Sequence, residues 1–426
     1  MKKILWAAIA FFSSIIVAMA ANNITVIKAG HMIDVIDGKI LDNRIIIIEG
    51  KRIKQIVEGG PNVRIPDGAT VIDLSQSTVM PGLLDSHVHL VGSPLWGYKS
   101  LSMSVGRETI YGVANAKKTL MAGFTTVRNL GAPAYADVAL RDAINAGDVP
   151  GPRMLVSGPP LSITGGHCDN NLLPPRYRDV AEGVADGPWA VRAKVRQNIK
   201  YGADVIKFCA TGGVFSKGTK VGAQQFSLEE MKAIVDEAHM AGLKVAAHAH
   251  GTRGIISAIR AGTDSIEHVS YLDDEGIRLA KKMGSIFSMD IYNDDYILQE
   301  GKKVGMTKES LTKERALGLR QRQSFRAAVR AGVKMAYGTD AGVYPHGDNG
   351  KQMAKMVEWG MTPMQAVQTA TINNAKLFGM DKDIGALTAG RFADIIAIRG
   401  GDPLASPGLF EKVTFVMKDG KVYKNE

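Results

Sequence analysis

Cysteine is nearly absent from this chain of 426 residues: there are two, Cys168 and Cys209. Two thiols build no disulfide scaffold in a chain of this length, and spacing alone does not show whether their Cα atoms come close enough to bond. Free thiols near a functional site are the expectation. Aromatic residues make up only 6% of the chain, and no block of lysine and arginine is interleaved with them, so nucleic acid is not an expected partner. No Gly-x-Gly-x-x-Gly sequence is present, which removes the usual dinucleotide-binding loop. Past the first twenty residues, no apolar run is long enough to span a membrane.

Those first twenty residues have a character of their own. Lys2 and Lys3 form a charged start, Ile4 to Val17 is apolar but for two serines, and Ala18-Met19-Ala20 is a small-x-small cleavage site. The pattern predicts a signal peptide over 1–20, cleaved after Ala20. It also predicts an exported, periplasmic protein with no stable membrane association after cleavage. The remainder, about 400 residues, exceeds one compact core and predicts a large domain with a smaller one. The formal charge is +10, and loss of Lys2 and Lys3 leaves +8, scattered as on a solvated surface. Oligomeric state stays open, a homo-oligomer included.

Two patterns divide the mature chain. Short β-branched runs occupy its start, Ile24 to Ile27, Arg44 to Ile48 and Arg52 to Val57, punctuated by Asp37-Gly38 and Glu49-Gly50 turns. The same character returns at the end, in Asp394 to Ile398, Val413 to Met417 and Val422-Tyr423. The two ends, 21–80 and 385–426, are expected to meet in one small β-sandwich. Between them, over 81–384, eight short apolar runs alternate with helical stretches such as Gly187–Tyr201, Leu228–Ala241, Thr252–Ala261 and Lys313–Ala331. The eight runs are Gly82–Asp85, Thr125–Asn129, Arg153–Ser157, Val205–Ala210, Lys244–His248, Ser265–Glu267, Ser285–Met289 and Lys334–Tyr337. Several helical stretches end in Ala-Gly just before the next strand, a C-cap signal. Alternation of this kind implies a parallel sheet, and eight units imply a (β/α)8 TIM barrel rather than an open doubly wound sheet.

Chemistry in such barrels sits at the C-terminal strand ends. The first run ends in His87-Val88-His89, whose imidazoles share one strand face about 6–7 Å apart and can close on one metal ion. The fourth carries Lys207 among apolar residues, the fifth ends in His248-Ala249-His250, the sixth in Glu267-His268 and the eighth in Thr339-Asp340. His167 follows the third run. A lone strand-end histidine is more often structural, and an aspartate after Gly-Thr is a common helix N-cap. One metal site explains all five strand ends together. Lys207, buried in a barrel, should lose its proton because desolvation disfavours the charged form. A neutral amine can take up CO2 as a carbamate, whose two oxygens can bridge two cations.

With Pro81-Gly82-Leu83-Leu84-Asp85-Ser86-His87-Val88-His89 and the terminal Gly385-Ala386-Leu387-Thr388-Ala389-Gly390-Arg391-Phe392-Ala393-Asp394, the chain resembles the amidohydrolase superfamily. The likeness is to its binuclear branch with a carbamylated lysine. The resemblance implies that His87, His89 and Asp340 hold one divalent ion, most readily zinc. His248 and His268 hold a second, and carbamylated Lys207 bridges the two. His248 is taken over His250 because it stands where the strand ends, although both share one strand face. A hydroxide between the ions would attack an amide carbonyl, with Asp340 moving the proton.

Within the superfamily the likeness is to exported peptidases that remove the C-terminal residue from dipeptides, short peptides or N-acyl amino acids, with a preference for Arg or Lys there. His167, His250, Asp290 and Tyr292 are then expected to bind substrate. The clustered carboxylates Asp290, Asp294 and Asp295 could face a cationic side chain. The alternatives are an Xaa-Pro dipeptidase, or an amidase for N-acyl aromatic amino acids. A noncatalytic periplasmic binding protein on the same scaffold would lack metal ligands, and none is missing here.

Overall fold

The computed structural model describes residues 24–426; the expected signal peptide and its cleavage site lie outside the described residues. The start of the described chain forms β1 (Ile24–Asp34), β2 (Lys39–Glu49), β3 (Arg52–Glu58) and β4 (Thr70–Pro81). Eight short strands follow, alternating with helices: β5 (Leu83–Val88), β6 (Phe124–Asn129), β7 (Arg153–Val156), β8 (Val205–Cys209), β9 (Lys244–Ala249), β10 (Ser265–His268), β11 (Ile286–Ser288) and β12 (Met335–Ala336). The chain closes with β13 (Ile395–Arg399), β14 (Val413–Lys418) and β15 (Lys421–Asn425). All eight strands expected in the middle are present, with ends displaced by a few residues.

The two ends of the chain share one seven-stranded sheet, ordered β15-β14-β13-β4-β1-β2-β3. Its continuous apolar runs follow from burial on both faces. Ile46 and Ile48 pack with Ile27, Ile395 and Phe415, while Ile45 and Ile47 point the other way and pack with Val26. Strand β4, which the sequence reading passes over, holds the ends together: it pairs in parallel with β1 and antiparallel with β13.

The middle strands form two parallel sheets, β5-β6-β7 and β12-β11-β10-β9-β8. Backbone hydrogen bonds cross between them on both sides. The Leu161 amide donates to the Lys207 carbonyl at 2.8 Å, and the Cys209 amide donates to the Leu161 carbonyl at 3.0 Å. On the other side the Ser86 amide donates to the Tyr337 carbonyl, and the Asp340 amide to the His87 carbonyl, each at 2.7 Å. This mixed α/β content with parallel sheets is consistent with a TIM barrel. Among the described residues no helix is long and apolar enough to cross a membrane.

The helices start and stop where local chemistry dictates. Ser227 and Glu230 form a capping box for the helix Leu228–Met240. Helix Thr252–Ala261 buries Ile255, Ala258 and Ile259 on one face, and stops at Gly262, whose φ of 91° suits glycine. The helix expected to begin at Lys313 begins at Lys308 instead, because the Thr307 hydroxyl accepts from the Ser310 amide at 3.1 Å.

Arg153 of β7 ties the parallel strands to the terminal sheet. Its guanidinium donates to Asp394 at 2.7 Å and to Asp419 at 2.5 Å. Asp394 is only 5% exposed. Replacing Arg153 by Met leaves that carboxylate buried without its cation, and a loss of about 3–5 kcal/mol is expected as a lower urea midpoint. Asp419→Asn, at a half-buried position, should cost no more than about 1 kcal/mol in the same measurement.

Candidate metal centre and substrate cavity

The C-terminal ends of β5, β8, β9 and β10 and the loop after β12 converge on one cavity of about 400 Å³. His87, His89 and Asp340 form one group of candidate ligands, with all their donor atoms within 4.8 Å of one another. Asp340 Oδ1 lies 3.2 Å from His89 Nε2 and 3.5 Å from His87 Nε2. His248, His250 and His268 form a second such group, and His268, Asp290 and Asp340 a third that links the first two. Lys207 Nζ lies 3.4 Å from His87 Nε2. The His167 ring stacks on His248 at 4.2 Å. Tyr292, expected to bind substrate, stands apart: it packs on Tyr344, 5.0 Å between ring centres, and does not line the cavity.

Burial sets the protonation of most of these groups. Desolvation pulls His87 down to about 4, helped by Lys207, and His167 down to about 3. It carries His248 and His250 well below the usual imidazole value. Neutral imidazoles offer lone pairs to a cation. Burial also lowers Lys207 to about 8, against the pull of Glu267 and Asp340. Asp340 goes the other way: burial favours its neutral form, but His87, His89 and His268 outweigh that and keep it ionised. His268 is held above its ordinary value, because Asp290 overcomes the effect of burial.

This donor set fits a divalent metal of the zinc type. His248 Nε2 is buried and, among the described residues, has no hydrogen-bond partner, as expected of an atom reserved for a ligand. Three non-glycine residues at the strand ends, His268 (φ 70°), Val269 (φ 50°) and Asp340 (φ 56°), hold left-handed backbone. Such strain persists where the surroundings over-determine it and is common at functional sites.

A layer of polar residues orients the ligands. Glu267 Oε2 lies 3.1 Å from His87 Nδ1, while Glu267 Oε1 accepts from Arg128 at 2.9 Å and from Ser265 at 2.6 Å. Arg128 also donates to the Ser86 carbonyl at 2.7 Å. Asp290 faces His268 Nδ1 at 2.8 Å and accepts from Gln321 at 2.7 Å and Asn293 at 2.6 Å. Asp290, expected to bind substrate, is thus engaged in positioning a candidate ligand. His346, which fits no strand-end pattern, supports the His89 carbonyl at 3.0 Å. The roles of Arg128, Glu267 and Gln321 rest on contacts between distant segments of the chain. The available signal for Arg128 was the one that exposed Lys207, a cation inside a run that must be buried.

Two further expectations are corrected. Asp294 and Asp295 do not face a substrate: Arg322 reaches both, at 3.3 and 2.8 Å, and Lys355 reaches Asp295 at 2.9 Å. The two cysteines are not free. Cys168 and Cys209 are joined in a disulfide with Cα atoms 6.1 Å apart, inside the bondable range, because the loop bearing His167 returns to the end of β8.

The sign of each shift gives a test with metal. His268 takes a proton at higher pH than His87, so acidification from pH 8 to 5.5 should release the ion at the His268 group first. Metal analysis after equilibration at each pH should show stoichiometry falling from about two toward about one. Asp290→Asn, which disturbs the orientation of His268, should weaken metal binding about 10–100-fold in a competition titration with a coloured chelator.

The pattern of the amidohydrolase family matches residues 78–423. An ochratoxinase from Aspergillus niger is 35% identical over 433 aligned positions, covering 94% of this chain and 87% of the fungal protein. Among solved structures, an Xaa-Pro dipeptidase with bound methionine in its active site superposes with a TM-score of 0.89 at 36% identity, covering 95% of this chain and all of that one. A prolidase complexed with N-methylphosphonate-L-proline superposes with a TM-score of 0.86 at 31% identity, over 95% of this chain and 100% of that one. The chain belongs to the amidohydrolase family.

Proposed function

We propose that this hydrolase uses two divalent ions to remove the C-terminal residue from dipeptides, short peptides or N-acyl amino acids, with a preference for Arg or Lys at that place. The observation that carries the reading is the pair of ligand groups joined through His268 and Asp340 at the floor of one cavity. We read the eight middle strands as a closed (β/α)8 barrel and the terminal sheet as a separate small domain. Export to the periplasm, with cleavage after Ala20, is part of the same proposal. A disulfide suits an oxidising compartment and supports it.

In this reading His87, His89 and Asp340 would hold one ion, most readily zinc, and His248 and His268 the other. Lys207 would stand between them as a carbamate: its neutral nitrogen adds to CO2, a C–N bond forms, and the nitrogen proton leaves. The ions, when bound, supply an acidified water near neutral pH and a Lewis acid for the scissile carbonyl. Asp340, kept ionised by its imidazole neighbours, accepts the proton of the attacking water and delivers it to the leaving amine. Asn293 donates to Asp340 Oδ2 at 3.2 Å and holds the carboxylate in place. His167 and His250 engage the hydroxyls of Ser216 and Ser270 through Nδ1, each at 2.8 Å, leaving Nε2 for the substrate carbonyl or carboxylate.

A second reading, cleavage of Xaa-Pro dipeptides, is favoured by the named activity of the structural neighbours. A third, cleavage of N-acyl aromatic amino acids, follows from the likeness to the ochratoxinase. A dipeptide panel separates them. Leu-Arg should be cleaved far faster than Leu-Pro or Leu-Glu, and equal rates on all three would refute the basic preference. Chelator treatment should abolish hydrolysis and added zinc restore it. Lys207→Ala should lower kcat by about 10³-fold or more, since the worth of a Lewis acid is several kcal/mol. A Lys207→Ala protein with both ions and full rate would remove the carbamate from the mechanism.

A further inference from the structure

We propose that Glu314 is the residue that receives the cationic side chain of the substrate's C-terminal residue. This rests on the Arg/Lys preference given above and assigns it to one side chain. Glu314 lies on the helix Lys308–Arg330, is 3% exposed, and lines the cavity. Among the described residues its carboxyl has neither a hydrogen-bond nor an ion-pair partner. A buried carboxyl in that state is costly unless a ligand completes it.

The other acidic residues lining the cavity are committed. Asp340 faces His87 and His89, and Asp290 faces His268, Gln321 and Asn293. Asp169 accepts from the amides of Gly165, Asn170 and Ala181. The nearby cation, Arg322, gives its donors to Asp294, Asp295 and the Ile291 carbonyl. Glu314 is therefore the one lining carboxyl left for an external partner among the described residues. Burial first, and then the charges of Asp294 and Asp290, raise it to about 8. A carboxyl so placed keeps its proton when alone and releases it to solvent as a cation arrives to pair with the carboxylate.

Position selects the length of that cation's stem. Gln321, on the same helix, donates to Asp290 beside His268. Glu314 stands seven residues before it, nearly two turns, or about 10 Å along the axis. Leu317 lies between them on the helix and lines the cavity, as do Ile297 and Val343. An apolar passage ending in a carboxylate suits a long methylene stem with a charged tip.

The test compares kcat/KM on Leu-Arg and Leu-Met, whose side chains are both unbranched, for the wild-type metal-loaded enzyme and Glu314→Gln. The wild type should prefer Leu-Arg, and the substitution should lower the Leu-Arg to Leu-Met ratio by about 30-fold or more, as when a buried charge pair loses one partner. A wild type that prefers Leu-Arg with a ratio unchanged in Glu314→Gln overturns the role of Glu314 and leaves the preference standing. A wild type with no preference refutes the Arg/Lys reading itself, and the role of Glu314 with it. If Glu314→Gln does not fold or bind metal, Glu314→Asp decides, because withdrawing the carboxylate by one methylene should still lower the ratio. An unchanged ratio there overturns the proposal.

Discussion

The hydrogen bonds around Asp85 are the constraint on which the rest of the site depends. This fully buried carboxyl accepts from the Thr339 hydroxyl at 2.6 Å, the Asn349 amide group at 2.9 Å, and the backbone amides of Thr339 and His87 at 3.1 and 3.2 Å. It joins the first strand of the parallel set to the segment after the last. His87 and His89 stand on one side of this seam and Asp340 on the other, so one ligand group is assembled from positions about 250 residues apart in the chain. Burial raises Asp85 to about 7, while the Thr339 and Asn349 donors hold it down. Four donors on one carboxyl offset the cost of placing it in the core.

Two histidines with similar carboxylate partners behave differently, and the difference lies one contact further out. His87 faces Glu267, but Glu267 also binds Arg128, whose positive charge cancels much of what His87 would feel. Burial and Lys207 then hold His87 low. His268 faces Asp290, whose other partners are the neutral amides of Gln321 and Asn293. The full negative charge acts on the ring, and His268 rises. The cavity thus contains one candidate ligand, His87, that burial holds neutral and another, His268, that keeps a proton until a metal displaces it.

The reach of sequence reading follows the same division. The alternation of strands and helices was legible because periodicity and Gly caps are local. The converging strand ends were legible because an alternating α/β chain gathers the C-terminal ends of its parallel strands, so that five separate positions read as one place. Strand β4 was not, since Ser75, Gln76, Ser77 and Thr78 interrupt its apolar pattern while its pairing with β1 and β13 is long-range. The disulfide and the engagement of Asp294 and Asp295 with Arg322 and Lys355 were hidden for the same reason: each depends on how a loop or a helix returns to the cavity, which no short window of sequence encodes. Glu314 gave no signal at all, because an acidic residue in an amphipathic, charge-rich helix reads as a solvated one.

The site therefore has a floor and a wall with different tolerances. The floor is made by strand ends locked to one another by the Asp85 seam, by Glu267 with Arg128, and by Asp290. The wall comes from the loop around His167 and from the helix Lys308–Arg330. The disulfide ties that loop to β8, two residues beyond Lys207, and Gly213 leaves space that a Cβ would take from the His167 ring. The helix is bound to the floor at Gln321, yet Leu317 and Glu314 on the same helix only line the cavity. Gln321 cannot change without disturbing Asp290 and, through it, His268. Glu314 makes no hydrogen bond or ion pair to a candidate metal ligand among the described residues, so the proposed control of substrate choice sits where a side chain faces the cavity without holding the ligands in place.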